Sequence, residues 1–149
     1  MVLTAEVQRE YQRRYGDAGD TSPIDAAEFV APHGLFVVIH DDGVPIGMGG
    51  WRRYGDDGVG ELKRMYVRES ARGRGIARQL LAHLESTAAE AGILRLVLET
   101  GVAQPEAIAL YRSAGYVDVP AFGYYVDHDD SVHLGKTLQT RPRLCGRDP

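Results

Sequence analysis

Two arginines and two glycines stand together at Arg72-Gly73-Arg74-Gly75, and Ile76 and Ala77 then begin a long stretch of helical periodicity. A β-rich run ends shortly before them, at Val67. The first N–H groups of a helix have no internal acceptor, and the helix dipole adds partial positive charge there. Glycine lets the main chain come close to an anion, and Arg72 and Arg74 add fixed charge. The chemistry this run can do is to cradle a pyrophosphate. A glycine-rich turn carrying two solvated arginines is the plainer reading of the same residues. Two other phosphate loops do not fit. No Gly-Lys-Ser/Thr ends the run, so it is not a Walker A loop. Gly73-Arg74-Gly75 is followed by Ile76, Ala77 and Arg78, so the third glycine of a dinucleotide fingerprint is missing.

Other constellations are weaker. Asp127-His128-Asp129-Asp130 with His133 lacks the glycine and terminal glutamate of a calcium loop, and reads as a polar turn. No metal is expected. There is no Gly-x-Ser-x-Gly elbow, and the single cysteine, Cys145, lies in a polar tail, which disfavours a covalent acyl-enzyme. His33, His40 and His83 are scattered and take no role.

These residues need elements to hold them. Thr4 to Tyr15 reads as an amphipathic helix capped by Thr4 and ended by Gly16. Ser22-Pro23 starts a short helix to about Val30. The period then changes. Gly34 to His40, Val44 to Arg52 and Val59 to Val67 form three extended runs separated by Asp41-Asp42-Gly43 and Gly55-Asp56-Asp57-Gly58, an antiparallel meander. Gly75 to Ala91 is the clearest helix, with Ile76, Leu80, Leu81, Leu84 and Ala88 as its apolar stripe and Gly92 as its stop. Leu94 to Thr100 follows as a strand parallel to the one before the helix. Glu106 to Ala114 is a shorter helix. Tyr116 to Val119, Tyr124 to Val126 and Val132 to Leu138 are short late strands. The order predicts an α/β (α+β mixed) sheet with helices on both faces.

The whole is short enough for one domain, over residues 1–140, with 141–149 a flexible tail. The chain has 149 residues, 44% hydrophobic and 26% charged, with a formal net charge of −4. A nucleic-acid face would show as a basic excess, so nucleic acid is not an expected partner. No apolar run reaches the roughly 18 residues of a membrane span, and Met1 to Tyr15 has no apolar core of a signal peptide. A cytoplasmic location is expected.

Arg72-Gly73-Arg74-Gly75-Ile76-Ala77 resembles the Arg/Gln-x-x-Gly-x-Gly/Ala signature of the GNAT family of histone and small-molecule N-acetyltransferases. The likeness extends outward. Glu61-Leu62-Lys63-Arg64-Met65-Tyr66-Val67 looks like the family's central strand. Gln104-Pro105-Glu106-Ala107-Ile108-Ala109-Leu110-Tyr111-Arg112-Ser113-Ala114-Gly115-Tyr116 resembles its second block, Asn-x-x-Ala-x-x-Leu-Tyr-x-x-x-Gly-Phe. Leu98-Glu99-Thr100-Gly101 with Pro120-Ala121-Phe122-Gly123 looks like a bacterial subgroup. There are departures. The family usually opens with a strand, and here the chain opens almost directly with a helix, which leaves open whether that strand is missing. Gln104 stands where asparagine is commoner.

The resemblance implies a GNAT fold, mostly antiparallel with a central β-α-β crossover. It implies that the strands at Glu61–Val67 and Leu94–Thr100 splay apart and that acetyl-CoA lies in the opening. The pantetheine arm would pair with main chain near Met65, Tyr66 and Val67. The pyrophosphate would rest on Arg72, Gly73, Arg74, Gly75, Ile76 and Ala77, with Gln104, Ala107 and Tyr111 at the second block. The reaction is attack of an amine on a thioester. A free alkylamine has a pKa near ~10 and must lose a proton. Glu61 falls where histone-type members place their catalytic glutamate, acting through a water. An ion-paired strand carboxylate is the rival reading. Absent a bulge, alternation puts Glu61, Lys63, Met65 and Val67 on one face. Tyr111 matches the tyrosine near the cofactor sulfur, a donor for the departing thiolate.

A main-chain N–H near Met65 would polarise the thioester carbonyl. The acceptor side is open. Tyr54, Phe122, Tyr124 and Tyr125 could wall it or simply pack, Lys63 and Arg64 could hold an acceptor anion, and Trp51 reads as core. The expected activity is acetyl transfer to a primary amine of a small molecule. A protein or peptide amine, and a non-catalytic acyl-CoA-binding module, are the alternatives. Dimers are common in the family, which admits a homodimer.

Overall fold

The computed structural model describes residues 26–123 and 130–139. The helix expected at Thr4–Tyr15, the first part of the one expected from Ser22, the strand at Tyr124–Val126 and the tail from 141 lie outside the described residues. So do Tyr124, Tyr125, Cys145 and Asp127–Asp129.

Six strands form one sheet: β1 (Gly34–Asp41), β2 (Val44–Arg53), β3 (Val59–Val67), β4 (Arg95–Gly101), β5 (Val117–Asp118) and β6 (Ser131–Thr137). Their order is β1-β2-β3-β4-β6-β5. Every neighbouring pair is antiparallel except β3 and β4, which are parallel. Two α-helices, α1 (Ile76–Glu90) and α2 (Pro105–Ser113), accompany the sheet. The meander, the crossover helix and the parallel strand stand where the sequence puts them, to within a residue or two. The strand expected over Tyr116–Val119 shrinks to Val117–Asp118.

Local chemistry explains the joints. β1 and β2 meet through Asp42 (φ +48°) and Gly43 (φ +78°), with Asp41 opposite Val44. Two left-handed residues make the tight turn whose twist suits a hairpin. Gly75 starts α1 at φ +76°. Both helices end alike. After α1, Gly92 (φ +88°) donates to the Ala89 carbonyl and Ile93 to that of Ala88. After α2, Gly115 (φ +98°) donates to Arg112 and Tyr116 to Tyr111. This paired closure needs glycine at the left-handed position and brings the residue after it onto the helix's last turn. Tyr116 accordingly meets Tyr111, ring centres 5.7 Å apart and edge to face.

The core lies between the sheet and α1. Leu80, Leu81, Leu84 and Ala88, the stripe read from the sequence, pack with Trp51, Leu62, Leu96, Leu98 and Leu134. Trp51 is a core residue, and its indole N–H donates to the Thr87 hydroxyl at 3.1 Å. Tyr111 and Tyr116 join the same cluster, which sets α2 on the α1 face. The opposite face carries a short 3-10 turn, Ala26–Phe29, whose Phe29 ring meets Phe36 edge on at 6.0 Å. No described helix is long and apolar enough to cross a membrane.

Two irregularities in β3 shape the site. Its parallel pairing with β4 covers only Val59, Gly60 and Glu61, opposite Arg95, Leu96 and Val97. Beyond Glu61 the two strands separate. On the other side, Met48 pairs with Tyr66 and Gly50 with Lys63, so Gly49 alone opposes Arg64 and Met65. Arg64, at φ +59°, is the extra residue of a bulge. The bulge corrects the expectation that Glu61, Lys63, Met65 and Val67 share a face. Met65 packs into the α1 core, while Leu62 already occupies that face and turns Glu61 to the other.

Candidate active site

A cleft of about 370 Å³ opens between β3, the N-terminal end of α1 and α2. Met65, Tyr66 and Val67 form its strand side. Arg72, Gly73, Gly75, Ile76 and Ala77 form its floor, and Gln104, Ala107 and Tyr111 its far wall. The expected binding residues are thus brought together from three separate stretches of chain. Arg74 belongs to the same loop, but its guanidinium turns outward to Asp41 at 3.3 Å, an exposed pair.

The loop's main chain suits an anion. Gly73 (φ +80°) and Gly75 lie in the left-handed region, and a Cβ on either would meet nothing within 4 Å. The glycines serve conformation here and leave the approach open. Gly75 supplies no side-chain cap to α1, and the first N–H groups of a helix have no acceptor within it. Arg72 braces the loop: its Nε donates to the Val67 carbonyl at 2.9 Å and its guanidinium lies 5.5 Å from the Tyr66 ring.

Tyr111 is buried on the cleft wall. Its hydroxyl has no partner among the described residues, and no buried side-chain oxygen is left unpaired, so the hydroxyl opens to the cleft. Burial pushes the phenol well above its ordinary value of 10.0, which keeps it protonated.

Glu61 sits where β3 and β4 part, 5% exposed, on the face away from α1. Arg52 holds it: Nε and Nη2 donate to the same oxygen, Oε1, at 3.1 and 2.9 Å. Arg52 Nη1 is held in turn by Glu28 at 2.8 Å. Oε2 has no partner among the described residues, and the absence of buried unpaired oxygens means that it keeps an opening to solvent.

The sequence reading passed over several residues. Ala71, Arg78, Glu106 and Leu110 also line the cleft, and Arg78 bridges to the Ser113 hydroxyl of α2 at 2.9 Å. Helical spacing offered a signal for Leu110, three residues on from Ala107 along one side of α2. Arg52 was readable too, because a hairpin turning at Asp56-Asp57 sets residue 52 opposite 61, the register found.

The residues present fit an acyl-CoA: a strand edge past its pairing with β4, a glycine loop at a helix start with no side-chain cap, and a phenol at the inner end. A mixed sheet that opens beside its parallel pair, with this cleft at the opening, defines an acyl-CoA-dependent N-acyltransferase. Residues 3–116 match the acetyltransferase (GNAT) family, and the chain belongs to that family. It is 38% identical over 132 residues to a protein of Azospirillum brasilense named IAA acetyltransferase, covering 87% of this chain and 86% of that one. A solved structure from Klebsiella pneumoniae, described as a candidate acyl-CoA N-acyltransferase, superposes with a TM-score of 0.75 at 31% identity, covering 93% and 88%. An aminoglycoside 6'-N-acetyltransferase complexed with coenzyme A shares the fold, with a TM-score of 0.69 at 21% identity over 95% and 93% of the two chains. The chain is an acyl-CoA-dependent N-acetyltransferase.

Proposed function

We propose that this enzyme moves an acetyl group from acetyl-CoA to the primary amine of a small molecule by direct attack. The observation that carries the reading is the parting of β3 and β4 just past Glu61, with the cleft and Tyr111 on one side and the carboxylate on the other. The edge of β3 at Met65–Val67, past its pairing with β4, would hold the pantetheine arm, and the N–H groups of residues 73–77 the pyrophosphate. Bound there, acetyl-CoA supplies the activated acyl thioester. The 38% identical relative, by its name, supports a small-molecule acceptor. We place the reaction in the cytoplasm.

An alkylamine with a pKa near ~10 is mostly charged at neutral pH and must shed a proton before it attacks. Glu61 takes that proton through a water at Oε2, the oxygen that Arg52 leaves open. A main-chain N–H near Met65 polarises the carbonyl. Tyr111, kept protonated by its burial, delivers a proton to the departing sulfur. The grip of Arg52 on Glu61 favours one rival: a carboxylate that only ties β2 to β3, with another group as base.

Thermal unfolding with acetyl-CoA, CoA, NAD and ATP in separate samples tests the cleft. A ligand at ~100 times its Kd adds about 2.7 kcal/mol of stability. Shifts are expected with the first two alone, followed by thiol release when an amine is added. Stabilisation by NAD or ATP without CoA would overturn the reading.

A further inference from the structure

The sheet face opposite α1 carries a run of aromatic rings that the proton transfers above do not use. Tyr54, two residues beyond Arg52, lies 5.9 Å from its guanidinium. The Tyr54 ring meets Phe122 at 5.5 Å, and Phe122 meets His133 edge to face at 5.0 Å. The Phe122 N–H donates to His133 Nδ1 at 3.4 Å, which anchors the ring to the loop that presents it. Gly123, at φ +73°, lets that loop close on Tyr54, whose hydroxyl would stand 3.3 Å from a Cβ there.

Both ends of this run arrive at the β3–β4 opening. At one end Arg52 joins Tyr54 to Glu61. At the other, His133 pairs in register with Glu99, two residues along β4 from Val97, and Val97 is the partner of Glu61. Strand alternation puts Glu61, Val97, Glu99 and His133 on the same face. The rings therefore share the sheet face of Glu61 beside the opening, joined to it through Arg52. Tyr54 and Phe122 are only half-buried, so each keeps ring surface open.

We propose that this aromatic run is the acceptor site and that it takes a primary amine carrying an aryl group. The inference rests on the acetyl transfer proposed above and names its acceptor class. Aromatic pairs gain most from edge-to-face or offset contact with another ring. A flat apolar body beside Phe122 and Tyr54 leaves the amine at the carboxylate, one short linker away. An anionic acceptor finds a poorer match, because the Arg52 guanidinium is already shared between Glu28 and Glu61.

Thiol release from acetyl-CoA, measured with 2-phenylethylamine, propylamine, spermidine and an alanyl peptide, tests this. The expected result is a kcat/KM for 2-phenylethylamine at least about tenfold above that for propylamine. Phe122→Leu, which keeps apolar volume and loses the ring, should raise the KM for 2-phenylethylamine about tenfold and draw the aryl-to-alkyl ratio toward one. Retention of the CoA-induced thermal shift shows that the variant is folded, and Tyr54→Leu supplies a second variant if it is not. Turnover of spermidine, propylamine or the peptide without aryl preference overturns this inference and leaves acetyl transfer standing. An aryl preference untouched by both variants overturns it as well. No turnover with any amine overturns both.

Discussion

Glu61 and Tyr111 are both buried, yet their surroundings differ in the way the two proposed proton transfers require. Arg52 places two donors on one oxygen of Glu61, which fixes the carboxylate and leaves Oε2 with no partner among the described residues. Tyr111 has no charged partner, and burial alone holds its proton. Glu61→Gln keeps the shape of the side chain and removes its basicity. Tyr111→Phe removes one hydroxyl that has no hydrogen-bond partner among the described residues. Each variant should lower kcat by about 10²–10⁴, while the thermal shift with CoA persists, because neither side chain holds the pyrophosphate. A kcat within a fewfold of the parent would remove that residue from the chemistry. Both roles are proposed from the family resemblance, and these variants test them. An ion pair for Glu61 was legible as the rival reading, and the hairpin register sets Arg52 opposite it; which carboxylate oxygen the guanidinium takes was not, because only the packed sheet face decides how that side chain bends.

The bulge in β3 is the element that separates the two faces of the site. Without Arg64 as the extra residue, Met65 and Glu61 would point the same way, and the cleft side of the strand would present different side chains. Nothing in Lys63-Arg64-Met65 announces a left-handed residue, since Gly, Asn or Asp are its usual marks. That is why alternation, which holds only without a bulge, could not place Met65, whereas the α1 stripe, repeated over four turns, was legible. Arg64→Gly and Arg64→Val test the point together. Both lose the guanidinium, so their difference isolates the backbone. A left-handed conformation costs a residue with a Cβ roughly 1–2 kcal/mol, and a β-branched one is a true outlier there. The valine variant should therefore melt several degrees below the glycine variant, at about 2–4 °C per kcal/mol for a chain of this size. It should also bind CoA more weakly, because the easiest relief is to lose the bulge. Equal melting temperatures would mean that φ +59° at Arg64 carries no strain.

At the scale of the molecule, one cluster ties together segments far apart in sequence. The Glu85 carboxylate of α1 accepts from the Tyr116 hydroxyl at 2.9 Å and from Lys136 Nζ of β6 at 3.0 Å. Lys136 also lies 5.7 Å from the Tyr116 ring. Since Tyr116 closes α2 onto Tyr111, this cluster holds the cleft's far wall against α1 and the sheet. Burial first, and then the Glu85 carboxylate, push the Tyr116 phenol far above its ordinary value of 10.0. Burial does the same for Tyr111. In the folded chain both phenols keep protons that an unfolded tyrosine loses near pH ~10. The stability they lend is complete below that pH and drains away as the pH rises past it, by about 1.4 kcal/mol per phenol at pH ~11. Tyr116→Phe loses one hydrogen bond, about 1 kcal/mol, but also one of these two alkaline penalties. In urea unfolding at pH 8, the parent should be the more stable of the two by about 1 kcal/mol. At pH 11, where the remaining tyrosines are common to both proteins, that advantage should vanish or reverse. The same gap at both pH values would show that the Tyr116 phenol ionises in the folded chain, and that the contact with Glu85 does not lock α2 in place.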